Sequence, residues 1–205
     1  MSRLRTRPTR DDTRDKLFEA AARVFEEQGI NAASIEAIAA AAGYTRGAFY
    51  SNFDGKDELI VAMLEDHVEQ SIKRCLDLLA KHKSPADYLE ALRNMDRTQQ
   101  DPLGRSPLLH MEMILFVARA EKRRPELAER LRARRQMVTE IVAITSKQSG
   151  RNFENPAWVG AILLALNDGF SLHRLIDPET TPADSFLRAT GDLQKAIGDT
   201  FDTKA

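Results

Sequence analysis

Apolar positions along the chain recur at intervals of three and four, and no run of four or more residues alternates apolar and polar as a half-buried strand would. The pattern therefore predicts an all-α protein. In the first block Leu17, Phe18, Ala21, Ala22 and Phe25 share one face of a helix expected over 11–28, with Gly29 as its stop. A short second helix is expected from the N-cap candidate Ser34. It turns Ile35, Ile38 and Ala39 inward and ends at Gly43. Thr45 caps a short third helix reaching Phe53, and Asp54 with Gly55 turns the chain into a long fourth helix over 56–81.

Proline is excluded from helix interiors, so the prolines at 8, 85, 102, 107, 125, 156, 178 and 182 punctuate the remainder. Five more helices are expected between these breaks, over 86–100, 107–121, 125–148, 156–176 and 182–201, making about nine in all. The two short helices at 34–43 and 45–53, joined by a tight glycine turn, have the length and spacing of a helix-turn-helix. That geometry projects the second helix outward, so its N-terminal residues can enter a DNA major groove. The expected architecture is a three-helix DNA-binding head in residues 1–55. The long fourth helix joins it to a helical-bundle body in residues 56–205.

Composition changes this picture little. With 42% hydrophobic and 30% charged residues, the chain has the make-up of a soluble globular protein. A single cysteine, Cys75, cannot close an intramolecular disulfide, and the arginines near the start are not followed by an apolar run of the kind a signal peptide needs. The most apolar stretch, 158–166, is far shorter than the ~20 residues of a membrane span. A cytoplasmic setting is expected. Net charge is −1, and the head holds eight basic against eight acidic residues. Local excess is confined to 1–16, with six basic against three acidic side chains, and to 119–135, with eight against three. The arginine arm over 3–10 can enter a minor groove or act as a tail with only nonspecific attraction. Shape rather than charge carries the case for DNA.

The string TRDKLFEAAARVFEEQGINAASIEAIAAAAGYTRGAFYSNFDGKDELI, residues 13–60, resembles the head of the TetR family of helix-turn-helix transcriptional regulators. The resemblance implies a cytoplasmic homodimer whose heads bind double-stranded operator DNA and whose bodies bind a small-molecule effector. Its commoner mode is a repressor released from a palindromic operator by that effector. A ligand-independent architectural DNA-binder is the alternative. A helical-bundle enzyme is a further one, but the residues three before His67, His82, His110 and His173 are Leu64, Leu79, Pro107 and Phe170, not the glutamate of a di-iron site. There is no HExxH, CxxC, phosphate loop or nucleophile elbow, so no catalytic residue, metal or cofactor is expected.

Candidate DNA contacts are Ser34, Thr45, Arg46, Gly47, Tyr50, Asn52 and Lys56. Arg46 has the donors to read guanine N7 and O6 or to contact backbone only. Tyr50 and Asn52, the latter where the family more often has His, carry polar ends for phosphates. Tyr50 can equally be a half-buried core aromatic. Lys56 adds its charge to the amides opening the fourth helix as a phosphate site. Ser34 and Thr45 are N-caps in any case. For the effector, the resemblance and the adaptable methionines suggest a pocket lined by Met95, His110, Met111, Met113, Ile114, Phe116 and Val117, although such a face also serves as plain core. Gly160, Ala161, Leu164 and Asp168 form one stripe, and Phe186, Leu193 and Ile197 another. The small residues on the first permit close approach, so these helices are the expected dimer interface, unless a monomer buries the same stripes itself.

Overall fold

The computed structural model describes residues 10–82, 84–94, 106–148, 150 and 153–192. Helices run α1 (Arg10–Gln28), α2 (Ile35–Ala41), α3 (Arg46–Tyr50), α4 (Lys56–Lys81), α5 (Pro85–Asn94), α6 (Pro107–Arg119), α7 (Arg124–Gln148) and α8 (Pro156–Ile176). A ninth helical run, α9, covers 185–192, and no strand occurs among the described residues. The all-α expectation holds. The expected ends of the helices at 86–100 and 182–201 lie partly outside the described residues, as do Met95, Leu193, Ile197 and the arm before Arg10.

Local chemistry accounts for the breaks between the first helices. Gly29 and Gly43 take φ of 78° and 76°, the left-handed backbone that ends a helix and that side-chain-bearing residues rarely adopt. Ser34 Oγ accepts from Ala37 N at 3.1 Å and Thr45 Oγ1 accepts from Ala48 N at 3.2 Å, each capping an amide in the first turn of its helix. At α4, the Glu58 carboxylate reaches back to accept from Asp54 N, which fixes the turn before Lys56.

The chain divides into two compact units, one of residues 1–69 with 97–128 and the other of 70–96 with 129–205. In the first, Phe18, Phe25, Phe49 and Phe53 are buried with Leu17, Ile38, Leu59, Ile60 and Met63. Phe53 lies 5.9 Å from Phe18 and 5.7 Å from Phe49 between ring centroids, in tilted aromatic pairs. Leu109, Met113 and Val117 of α6 join the same core.

In the second unit α7 and α8 approach closely through Gly160. A Cβ there would lie 3.2 Å from the Thr139 backbone nitrogen and from its Oγ1, so only glycine fits this crossing without a shift. Arg134 Nη2 to Asp168 Oδ1, at 3.1 Å, ties the two helices further along. Burial pushes the Tyr88 hydroxyl pKa up, with the neighbouring Cys75 adding to the shift. By length and composition α8 is, among the described residues, the one helix able to cross a membrane, at 21 residues and a mean hydropathy of 1.2.

Candidate nucleic-acid interface

The polar end of the head lies on α2 and α3. Arg46 and Tyr50 sit one turn apart on α3, with the Arg46 guanidinium 5.4 Å from the Tyr50 ring centroid and its Nη2 donating to the Tyr50 hydroxyl at 3.5 Å. From α2, Glu36 places Oε1 3.0 Å from Arg46 Nη1. Hydrogen bonding to Tyr50, followed by the charge of Glu36, raises the Arg46 pKa above its ordinary value, so the group stays cationic. Tyr50 is 43% exposed, with its ring edge-on to Phe49 at 5.6 Å. Gly47 leaves the front of α3 open, since the nearest atom to a Cβ there would be Thr45 Oγ1 at 3.8 Å.

Capping and DNA contact are compatible at Ser34 and Thr45. Each hydroxyl uses a lone pair to cap and keeps its own proton to donate. Both residues are exposed.

Two expected contacts are turned elsewhere. Lys56 Nζ donates to the carbonyl oxygens of Ile30 at 2.6 Å, Asn31 at 3.3 Å and Ala33 at 3.0 Å, which accounts for the three donors of an ammonium. It clamps the α1–α2 connection to the start of α4, and no donor is left for a phosphate in this arrangement. Asn52 is half-buried. Its Nδ2 donates back to Ala48 O at 2.9 Å, and its Oδ1 is buried without a partner. Elsewhere in the same unit the surface between α1 and α4 is rich in carboxylates. An open cleft of about 250 Å³ between α1 and α4 is lined by Asp11, Arg14, Asp15, Phe18, Ala62, Glu65, Asp66 and Glu69. Arg14 covers the Phe18 and Phe53 rings there, at 5.7 and 5.1 Å. Carboxylates lining this cleft repel phosphates.

Of the expected pocket residues, Val117 is 1% exposed and Met113 is fully buried, both in the head unit's core. Their side chains pack against apolar neighbours in that core. Ile114 and Phe116 pack half-buried against that core, and His110 and Met111 are half-buried, with the His110 ring 4.4 Å from that of His67. At the expected dimer face, Gly160 and Leu164 are covered within the protomer, and Asp168 is taken by Arg134. Ala161 is half-buried. The apolar side of α8 that stays exposed carries Trp158, Ile162, Leu172 and Ile176 instead. Periodicity gave both faces of this apolar helix similar credentials, so the residue pattern alone did not separate them. The Glu36–Arg46 pair is not legible in the sequence, where an acid in a first helical turn needs no explanation beyond the helix dipole.

Comparison with known proteins agrees with this geometry. The chain is 35% identical over 91 residues to the HTH-type transcriptional regulator AcrR of Shigella flexneri, a match covering 44% of this chain and 41% of that protein. The chain thus spans about two fifths of the length of this curated relative. The fatty acid degradation regulator FadR of Bacillus halodurans superposes with a TM-score of 0.71 at 18% identity, covering 88% of this chain and 93% of that one. A transcriptional regulator from Saccharomonospora viridis, solved in complex with choline, gives a TM-score of 0.70 at 17% identity over 90% and 96% of the two chains. Likenesses at this identity concern the fold. Residues 17–63 match the family described as bacterial regulatory proteins, tetR family, and residues 84–193 match the tetracyclin repressor-like C-terminal domain. With both the head and most of the body matched, the chain belongs to the TetR family of transcriptional regulators.

Proposed function

We propose that this regulator is a cytoplasmic repressor that binds a pseudo-palindromic duplex as a homodimer and is released by a small, largely apolar molecule. The observation that carries the DNA reading is the α2–α3 face, where Arg46, Tyr50, Ser34 and Thr45 offer donors around an open Gly47. In this reading Ser34, Thr45 and Tyr50 donate to phosphates and fix the register, and Arg46 reads a base edge. Two heads related by a two-fold axis require half-sites about 34 Å apart, or a multiple of that.

The dimer reading is supported by the outward side of α8. Trp158, Ile162, Ala165, Gly169, Leu172 and Ile176 follow one another at alternating steps of four and three, the spacing of a helix–helix seam. Trp158 is 67% and Ile176 76% exposed, and nothing lies within 4 Å of a Cβ built at Gly169, so a second helix can approach the middle of the seam closely. For the effector, α4 contributes residues to both compact units, so a ligand that shifts this helix in one is felt in the other. The choline complex of the Saccharomonospora viridis neighbour makes a small-molecule ligand a reasonable expectation here.

To alter DNA affinity about 100-fold, a ligand needs about 2.7 kcal/mol of differential binding between DNA-competent and released conformations. Operator DNA must weaken ligand binding by the same factor. Selection of genomic fragments by the purified protein gives the operator. Calorimetric titration of a releasing compound, with and without saturating operator, then tests the coupling, and equal affinities in the two titrations exclude it.

A further inference from the structure

Arg46 is held from three directions although none of its contacts is needed by the core. Its Nη1 meets Glu36 Oε1 at 3.0 Å, its Nη2 meets the Tyr50 hydroxyl at 3.5 Å, and its Cζ lies over the Tyr50 ring, 5.4 Å from the centroid. The arginine and glutamate side chains are 63% and 57% exposed, so water and salt screen the pair and its contribution to folding is small. What the arrangement does provide is orientation. A long side chain at the front of α3 is restricted to one region of space before any partner arrives, and preorganisation of this kind lowers the ordering cost of binding.

We propose that Glu36 is a specificity-determining positioning residue, which orients the Arg46 guanidinium over Tyr50 so that its remaining donors meet a base edge. The proposal rests on α3 being the DNA-reading helix and assigns a role to a residue of the neighbouring helix. The donor inventory allows it. A guanidinium has five N–H donors; with one accepted by Glu36 and one by Tyr50, three remain, and bidentate recognition of guanine N7 and O6 needs two. The carboxylate itself repels phosphates, so it lowers affinity for DNA of any sequence while sharpening preference for the right one. Specificity obtained by combining an oriented attraction with a repulsion is a recurrent device.

The test uses the full-length protein and a duplex selected by it from a random-sequence pool, together with all single-base variants of that duplex and a nonspecific duplex. Arg46→Ala should reduce the preference for the selected base at one position per half-site by roughly tenfold or more. Glu36→Ala should reduce preference at that same position by about three- to tenfold, leaving nonspecific affinity unchanged or tighter. In the Arg46→Ala background, Glu36→Ala should produce no further loss of preference. Glu36→Gln, which keeps an acceptor for Nη1, should retain part of the discrimination lost in Glu36→Ala.

If Glu36→Ala tightens selected and nonspecific duplexes by the same factor, the glutamate is a phosphate-repelling charge only and the proposal is overturned. An undiminished preference in Glu36→Ala while Arg46→Ala loses it also overturns the proposal, leaving Arg46 as a reader that needs no positioning. If Arg46→Ala itself keeps full preference, the failure lies in the base-reading role of Arg46, and Glu36 has nothing to orient. Far-UV circular dichroism and thermal melting should be unchanged in the three single variants, since neither side chain is buried.

Discussion

The head and α8 use their apolar residues in opposite ways. In the head Phe18, Phe25, Phe49 and Phe53 turn inward onto Leu17, Ile38, Leu59 and Met63, and among its described residues Tyr50 is the large hydrophobic side chain left exposed. In α8 the inward positions Gly160 and Leu164 are covered within the protomer, yet Trp158, Ile162, Leu172 and Ile176 remain in water. A region that has satisfied its hydrophobic surface is free to present donors to a polyanion. A helix with an uncovered apolar seam needs another apolar surface, and a second copy of the same helix is the simplest source. Damage to the first region should therefore appear as unfolding, and damage to the second as a change in assembly.

The largest effect is expected from Phe49→Ala. Phe49 is fully buried, packs against Phe53 and touches Tyr50 edge-on at 5.6 Å, so truncation leaves a cavity under α3. A loss of about 3–5 kcal/mol is expected in chemical denaturation, with specific DNA binding abolished. A loss below about 1 kcal/mol would mean that the recognition helix is held by something other than this core.

On α8 the comparison predicts a split between two neighbouring positions. Ile162→Glu should leave the protomer folded and weaken the dimer by about 2 kcal/mol or more, ~30-fold in its dissociation constant, read by analytical ultracentrifugation. Gly160→Ala, two residues away, pushes a methyl against the Thr139 backbone and should destabilise folding by about 1–3 kcal/mol, with the dimer interface intact wherever the chain is folded. If Gly160→Ala dissociates a stable protomer and Ile162→Glu does nothing, the seam is on the wrong side of α8.

Lys56 sharpens the account of the head. Replacing it with Met keeps much of the stem but leaves the carbonyls of Ile30, Asn31 and Ala33 without the ammonium that ties them together. A stability loss of about 1–3 kcal/mol is expected. A variant with unchanged melting but weaker binding to every DNA sequence would reinstate Lys56 as a phosphate contact.

These residues also mark how far a sequence can be read. Ser34, Thr45, Gly29 and Gly43 were legible because caps and left-handed stops are local: the residue type and the next few positions contain the reason. The buried faces of α1 and α2 were legible because one periodic stripe faces one core. The carbonyl clamp of Lys56 is not legible in the residue pattern, because its partners lie 23–26 residues earlier in the chain and only the folded α1–α2 connection brings them to it. For Gly160 and Leu164 the pattern allows either a dimer seam or burial within the protomer, because α8 is apolar on more than one side and its spacing does not say which side the protomer covers itself. Asn52 shows the same limit at the scale of one side chain. Its place in the motif suggested a phosphate contact, whereas its amide folds back on Ala48.

The smallest predicted effect concerns the edge of the head's core. The Tyr44 ring packs against that core with Lys16 Nζ 5.9 Å from its centroid, and its hydroxyl oxygen is buried with no hydrogen-bond partner. A buried hydroxyl gives up its bonds to water without replacing them, so removing it relieves desolvation while the ring continues to fill the same space. Tyr44→Phe is therefore expected to be neutral or to stabilise the protein by up to about 1 kcal/mol, the reverse sign from the other head variants. DNA affinity should not change, because Tyr44 precedes the Thr45 cap and its ring points into the core side of the turn. Thermal melting against wild type decides it. A clear destabilisation would show that this hydroxyl has a partner in solution and that the turn between α2 and α3 is held by a hydrogen bond as well as by Gly43.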